Sequence, residues 1–218
     1  MLAGKIGIVI GTGPSLTGQI DDIKRLQKQG AKLFAVNNVF NDFDLTDSDT
    51  WIACDPAWHR HYGKVEGPFQ KYHWDKRIAN EGGYEWIEGR WFDGISPPGS
   101  DWLSLNHGSG PQALNLAVLA GCDPILLAGC DMHYNGTQRH YFDDLSETPG
   151  EYPGGLRKVS PFEKPKREGG AHKDGDGILF NYKHIQDQVD RGELPCKIYN
   201  ATPGSAMTWF PFVDLADY

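Results

Sequence analysis

The sequence predicts an α/β protein with a Rossmann-like, mostly parallel sheet and helices on both faces of that sheet. A short β-branched run at residues 5–10 stops at a glycine, which is typical of a buried parallel strand. Apolar residues then recur at helical spacing over residues 20–26, and Gly30 stands where a helix would end. Two more apolar runs, Lys32–Val36 and residues 51–54, follow as strands. This strand–helix–strand–strand order opens a doubly wound sheet.

The second half of the chain continues the pattern. Pro111 suits the first turn of a helix, residues 113–120 are strongly helical, and Gly121 suits the helix end. The apolar run at residues 124–128 predicts another buried strand. Two further elements are expected, a helix and a short strand, at residues 178–189 and 197–199.

Two regions of the sequence show no sustained helical or strand periodicity of apolar residues. Residues 55–102 are dense in Trp, Tyr, His and Gly, and we expect short helices, loops and one strand near residues 84–87. Residues 143–177 are rich in Pro, Gly and charge, and segments of this length are usually functional lids or disordered. Because no repeat or linker is visible, we expect residues 1–218 to form one nucleotide-binding-type α/β domain with a lid at about residues 143–177.

Composition and charge narrow the class of protein. The 218 residues carry a formal net charge of −8, which argues against the broad basic face of nucleic-acid-binding proteins. No apolar run approaches the roughly 20 residues of a transmembrane helix, and no signal-peptide pattern is visible. The four scattered cysteines form no C-x-x-C pair and are expected to be buried free thiols. We therefore expect a cytoplasmic protein, and an oligomer is possible.

The turn after the first strand is a candidate site for the phosphate of a nucleotide. Glycines between a strand and a helix let backbone N–H groups approach a phosphate, and the helix N-terminus adds favourable electrostatics. The pattern is neither a P-loop nor a full G-x-G-x-x-G, because Leu16 stands at the third glycine position. A tight turn without a ligand is the alternative. The turn consists of Gly11, Thr12, Gly13, Pro14 and Ser15.

Polar residues also follow the second and third strands. Asn37 and Asp55 stand there, and parallel strands end at one edge of a sheet, so both are candidates to line a ligand crevice. Each is also an ordinary turn residue. A second glycine-rich turn, Gly108, Ser109 and Gly110, offers backbone donors and a hydroxyl to an anion or a sugar. The alternative is that Ser109 merely caps the following helix.

Further polar groups follow the strand at residues 124–128. Asp131, His133, His140 and Tyr141 resemble a metal-binding set at first sight. Their spacing lacks a tight ligand pair such as H-x-x-x-H, which favours hydrogen-bonding roles over a metal site.

The expected lid is the most basic stretch of this acidic chain. A basic loop that folds over a phosphate would explain its charge, and a solvated charge run is the alternative. His172 lies within this stretch and could serve as a general base, because imidazole titrates near neutral pH.

Taken in order, these segments resemble the family 42 glycosyltransferases, the bacterial lipooligosaccharide sialyltransferases, and a related clan of hydroxymethylpterin diphosphokinase-like proteins. The family opens with a strand and G-N-G-P-S-L, which residues 11–16 match except at Thr12. Its second strand ends at an asparagine, matched by Asn37. Its S-G turn before a long helix is matched by Ser109 and Gly110.

The resemblance extends over most of the chain. The family's G-x-D-x-Y-x-N-G segment is matched by residues 129–136, and its closing P-x-S segment by residues 203–205. Its catalytic histidine lies in a lid before a final helix, as His172 does. Residues 58–102 have no counterpart in the family.

The resemblance implies a Rossmann-like fold, a CMP-sugar donor and no requirement for a metal or another cofactor. It assigns Thr12, Asn37 and Asp55 to the cytidine nucleotide or the sugar, and it places the second glycine-rich turn beside the donor. It also implies that His172 deprotonates the acceptor hydroxyl.

Two tyrosines stabilise the leaving phosphate in the family. The first falls at His133 and the second near His140 or Tyr141, so this chain departs from the family pattern at the first position. A histidine can still hydrogen-bond a departing phosphate. The resemblance therefore implies the class of reaction and leaves the donor sugar open.

Three hypotheses about function follow. The main hypothesis is a metal-independent glycosyltransferase that moves a sugar from a nucleotide-activated donor, CMP-linked if the resemblance holds, to an acceptor hydroxyl that the sequence does not identify. The second is a diphosphokinase-type transfer from ATP to a small hydroxymethyl compound, in which Asp55 and Asp131 would hold Mg²⁺. The third is a nucleotide-binding module without catalysis.

Overall fold

A computed structural model of the protein describes residues 5–105, 108–133, 140–141 and 178–218. Its main sheet has seven strands that all run parallel, so the expected α/β, Rossmann-like fold is confirmed. A small second sheet pairs two further strands, also in parallel. In chain order the strands are β1 (Gly7–Ile10), β2 (Lys32–Val36), β3 (Thr50–Ile52), β4 (Gln70–His73), β5 (Glu85–Trp86), β6 (Glu88–Arg90), β7 (Trp102–Ser104), β8 (Ile125–Ala128) and β9 (Ile198–Asn200). The small sheet is made of β6 and β7.

The described residues also contain α-helices and short 3-10 helices. The α-helices are α1 (Ile20–Lys28), α2 (Pro56–Tyr62), α3 (Lys76–Gly82), α4 (Ser109–Leu119) and α5 (Ile178–Asp190). The 3-10 helices span Pro14–Gly18, Asn37–Asn41 and Leu215–Asp217.

The strand order of the main sheet determines where a ligand would bind. The order is β5-β4-β3-β2-β1-β8-β9, so the chain moves outward from β1 on one side and later returns to its other side at β8. The topological switch point therefore lies between β1 and β8. Open parallel sheets bind their ligands outside the carboxyl ends of the strands at such a point.

Alternate residues of β1 face two apolar cores. Ile8 and Ile10 belong to one core with Ile23 of α1, and Val9 belongs to the other with Leu114 of α4 and Ile185 of α5. Helices therefore cover both faces of the sheet, as the sequence predicted. Because both faces are covered, the central strands are continuously apolar rather than alternating.

The Trp-rich middle region has more strands than we expected. The helices α2 and α3 match the short helices predicted there, and β5 matches the one predicted strand, whereas β4, β6 and β7 were not predicted. Each of the two helices begins after an aspartate that caps it: Asp55 accepts the N–H of Ala57 at 2.7 Å, and Asp75 accepts that of Arg77 at 2.9 Å. These elements have two to seven residues, which is too short for a hydrophobic period to appear.

Other predictions have mixed outcomes. All four cysteines are free thiols; three are buried as expected, and Cys54 is half-buried. Within the described ranges, no helix is both long and apolar enough to cross a bilayer. His172 and the predicted lid at residues 143–177 lie outside the described residues.

Candidate functional site at the carboxyl edge of the sheet

The carboxyl ends of the central strands bring together several of the segments that the sequence singled out. Ile10 at the end of β1 pairs with Ala35 of β2 and with Ala128 at the end of β8. The turn after β1, Asn37 after β2 and residues 129–131 after β8 therefore leave the sheet at the same edge. We call this edge the candidate site.

The turn after β1 packs directly against the turn after β8. The N–H groups of Gly11 and Gly13 donate to the carbonyl oxygens of Ala128 and Gly129, each at 2.8 Å. A Cβ atom on Gly11 would lie 2.4 Å from the carbonyl oxygen of Gly129. This distance is too short for a Cβ contact, so any residue other than glycine would clash here. The close approach of two backbones therefore explains this glycine without a ligand.

Asp131 closes the same turn. Its carboxylate accepts the N–H of Ser15 at 3.1 Å and the hydroxyl of Ser15 at 2.8 Å, and the residue is only 6% exposed. A Cβ atom on Gly13 would lie 1.9 Å from Oδ2 of Asp131. The carboxylate thus occupies the place over the turn that the sequence predicted for a phosphate. The N–H groups of Gly11, Gly13 and Ser15 already donate within the protein, which corrects their predicted role as phosphate donors.

Thr12 anchors the short segment that carries His140 and Tyr141. The Oγ1 atom of Thr12 and Nδ1 of His140 are 2.8 Å apart, and the N–H of Tyr141 donates to the carbonyl of Thr12 at 3.0 Å. The hydroxyl of Tyr141 donates to the carboxylate of Asp42. Burial, followed by this contact with Asp42, raises the pKa of Tyr141, so its phenol stays protonated. These contacts bring His140 to the first glycine-rich turn.

Ser109 joins the N-terminus of α4 to the ends of two strands. Its hydroxyl donates to Oδ1 of Asn37 at 3.1 Å and accepts the N–H of Cys54 at 2.9 Å. The N-cap position of α4 is Gly108, and no side chain caps the helix there. The alternative that Ser109 merely caps α4 is therefore wrong, because its hydroxyl connects to β2 and β3 instead.

Two non-glycine residues of the described chain have a positive φ, and both lie at this edge. They are Asn37, at 49°, and Met132, at 57°, which directly follows Asp131. The carbonyl of Asn37 accepts the indole N–H of Trp51 at 2.7 Å, which helps to hold the turn. Backbone conformations of this kind cluster at functional sites.

Three predicted site residues have local structural roles. Asp55 caps α2, which supports the alternative that it is an ordinary turn residue. Pro14 is the first residue of the Pro14–Gly18 helix. His133 is exposed, and its Nε2 lies 3.0 Å from the carbonyl of Gly204.

The two aspartates that the diphosphokinase hypothesis assigns to Mg²⁺ also have other partners. Asp55 and Asp131 each accept hydrogen bonds from backbone N–H groups. In the part of the chain that the structure describes, no three His, Cys, Asp or Glu side chains are grouped as a metal ion would need.

Sequence reasoning missed several polar groups near this edge. Asp42 holds Tyr141, and His73, at the end of β4, is fully buried. Burial is the main cause that lowers the pKa of His73 to about 4, and the neighbouring His59, with its ring centroid at 4.8 Å, adds to the effect. The phenol of Tyr182 on α5 is also fully buried. No local pattern distinguishes such residues from ordinary core or surface positions.

Comparisons of the chain with protein-family models, with curated proteins and with solved structures find no match. The resemblance to the family 42 glycosyltransferases therefore stays a prediction from sequence motifs. The structure itself defines a Rossmann-like α/β protein with a polar cluster at the switch point of its sheet.

Proposed function

We propose that the protein is a metal-independent glycosyltransferase whose donor is a nucleotide-activated, CMP-linked sugar. The observation that carries this proposal is the hydrogen bond between Ser109 and Asn37, two residues 72 positions apart in the chain. Both match motifs of the family 42 glycosyltransferases, and the segment at residues 11–16, which matches a third motif except at Thr12, leaves the sheet from the adjacent strand. The three motifs thus meet at the edge where Rossmann-like sheets bind nucleotides.

The side chains at this edge suit the neutral part of a nucleotide. The side-chain oxygen of Asn37 accepts the hydrogen bond from Ser109, and its side-chain NH₂ group can donate to a base or a ribose. The carboxylate of Asp131 also favours hydroxyl groups over a second anion beside it.

In the proposed reaction, the acceptor hydroxyl oxygen attacks the anomeric carbon of the donor sugar. The bond from that carbon to the phosphate oxygen breaks, and the nucleotide leaves as its monophosphate. The resemblance assigns the proton of the acceptor to His172, a step that contributes about 10²–10⁴-fold. Stabilisation of the leaving phosphate, which the resemblance assigns to His133 and to a second residue at His140 or Tyr141, contributes more to the rate than this proton transfer.

The first experiment is a thermal-shift measurement with CMP, a CMP-linked sugar and ATP. A ligand that binds only the folded state raises the melting temperature, and it adds about 2.7 kcal/mol of stability at 100 times its dissociation constant. We expect CMP and the CMP-linked sugar to raise the melting temperature and ATP to have a smaller effect. Release of CMP from the sugar donor should then proceed equally with and without EDTA. Loss of turnover in EDTA would favour the diphosphokinase hypothesis.

A variant series tests the chemistry. His172→Ala should lose most turnover and keep the thermal shift with CMP, while His61→Ala, which replaces an exposed histidine on α2, should behave as wild type. Wild-type turnover in His172→Ala would remove His172 from the mechanism. CMP binding without release of CMP from any sugar donor would identify a binding module instead.

A further inference from the structure

The hydroxyl of Tyr182 is a buried polar group that forms no well-aligned hydrogen bond with any residue that the structure describes. Tyr182 lies in α5 and is 0% exposed, and within the described chain its hydroxyl makes no hydrogen bond of acceptable geometry. The neighbouring thiol of Cys130 is a weak partner and already donates to the carbonyl of Ala128 at 3.5 Å. A buried hydroxyl without a partner costs stability, so its retention needs a reason.

The hydroxyl lies between the two glycine-rich turns of the candidate site. On one side, a Cβ atom on Gly110 would be 2.5 Å from the hydroxyl oxygen, so the phenol touches the first turn of α4 at a position that glycine keeps open. On the other side is Cys130, whose Sγ would lie 3.1 Å from a Cβ atom on Gly11. Tyr182 therefore reaches the switch point between β1 and β8 from within the core.

The electrostatics of the two turns differ. At the turn after β1, the carboxylate of Asp131 takes the N–H of Ser15 and opposes an anion. At the N-terminus of α4, an 11-residue helix, the N–H groups of Ser109 and Gly110 have no partners within the helix, Pro111 carries no N–H, and the helix dipole favours negative charge. A protonated phenol is likewise a donor to an anionic oxygen.

We propose that the N-terminus of α4 and the hydroxyl of Tyr182 form a phosphate subsite, in which Tyr182 donates a hydrogen bond to a phosphate oxygen of the ligand. The identity of that phosphate as part of a CMP-linked donor rests on the proposed function. The subsite itself needs only a phosphate or pyrophosphate group. Tyr182 is then a binding residue, and Gly110 keeps the helix backbone open beside its hydroxyl.

The test compares wild type, Tyr182→Phe and the control Tyr199→Phe, whose ring lies on β9. Each protein is titrated calorimetrically with inorganic pyrophosphate and with CMP, and its melting temperature is measured without ligand. We expect Tyr182→Phe to melt at or above the wild-type temperature, because the change removes an unpartnered hydroxyl. We expect its dissociation constants for both ligands to rise about tenfold, the effect of one lost hydrogen bond to a charged group. Tyr199→Phe should bind both ligands as wild type does.

Each outcome separates the subsite from the proposed function. Unchanged pyrophosphate and CMP binding in Tyr182→Phe overturns the subsite. The hydrogen-bond partner of the hydroxyl would then be a buried water rather than a ligand. Absence of pyrophosphate and CMP binding in wild type overturns it as well. Pyrophosphate binding that depends on Tyr182, without turnover of a CMP-linked sugar, supports the subsite and contradicts the proposed function.

Discussion

Asp131 accepts two hydrogen bonds from Ser15, from its N–H at 3.1 Å and from its hydroxyl at 2.8 Å, across 116 residues of sequence. This contact ties the exit of β8 to the exit of β1 at the switch point of the sheet. It also places a carboxylate where many Rossmann-like proteins hold a phosphate. The first glycine-rich turn is therefore closed by the protein's own anion.

Replacing Asp131 with alanine should destabilise the fold. The change leaves the N–H and the hydroxyl of Ser15 without their acceptor at a site that is 6% exposed, which costs about 1–3 kcal/mol. Urea unfolding measures the loss. Asp187→Ala, which removes an exposed ion pair with Lys183, is the control and should cost less than about 1 kcal/mol. Equal unfolding midpoints for the two variants would show that the contact between Asp131 and Ser15 stabilises the fold no more than the exposed ion pair does.

A methyl group on Gly13 should also destabilise the turn. The Cβ atom of Gly13→Ala would lie 1.9 Å from Oδ2 of Asp131 and 2.8 Å from the carbonyl of Gly129, so the turn or the carboxylate must move. Overpacking of this kind costs about 1–3 kcal/mol. At Gly18, in the adjacent 3-10 helix, an added Cβ atom meets nothing within 4 Å. Denaturant unfolding should therefore separate Gly13→Ala from Gly18→Ala, and a Gly13→Ala protein as stable as Gly18→Ala would contradict the clash.

The central strands were predictable because burial on both faces makes them continuously apolar. β2 has the predicted bounds, and β1 and β8 were found from the same kind of run. β4 was missed because its sequence, Gln70–His73, is polar and its first three residues are only partly buried. Packing against β3 and β5, rather than local pattern, stabilises that strand.

The site was predictable in its location and less so in its contacts. Strand ends of a parallel sheet share one edge, so Asn37 and the first glycine-rich turn could be assigned to it from sequence. The hydrogen-bond partners of the site residues could not be predicted, because they are far apart in the sequence. Asp131 and Ser15 are separated by 116 residues, and Ser109 and Asn37 by 72. Tyr182 occupies an ordinary core position of a helix, and it is distinguished only by a hydroxyl that forms no well-aligned hydrogen bond within the described ranges.

The buried His73 should make stability depend on pH. Its pKa falls to about 4 in the folded protein, mainly through burial, against about 6.5 when unfolded. The unfolded chain therefore binds more protons between these values, and stability is lost as pH falls from about 6.5 towards 4, by on the order of 3 kcal/mol. In His73→Asn, whose carbonyl oxygen can replace Nδ1 as acceptor for the N–H of Asp75, the part of this loss that His73 causes should disappear, and the part from His59, whose pKa burial also lowers, should stay.

Urea unfolding at several pH values between about 4 and about 7 measures this effect. His61→Asn, at an exposed position of α2, is the control and should keep the wild-type profile. A His73→Asn protein whose stability falls with pH as steeply as wild type would show that other groups, such as His59, carry the dependence.

Ser109→Ala should affect stability and ligand binding together. The hydroxyl bridges Asn37 and the N–H of Cys54, and its removal leaves that N–H without its acceptor and frees the Asn37 side chain to turn. We expect a loss of about 1–3 kcal/mol in unfolding free energy. If Asn37 contacts the nucleotide, we also expect CMP to bind about tenfold more weakly, because its amide is no longer held in place. Ser100→Ala, which removes an exposed hydroxyl bonded to the carbonyl of Pro97, is the matched control.

The two readouts of Ser109→Ala answer different questions. Reduced stability with unchanged CMP binding would mean that the bridge to Asn37 only joins α4 to the sheet. Reduced CMP binding alone would mean that the hydroxyl contacts the ligand directly, at little cost to the fold. A combined loss is the result that our structure predicts, because one oxygen atom both holds the N-terminus of α4 and orients Asn37 at the edge where the nucleotide is proposed to bind.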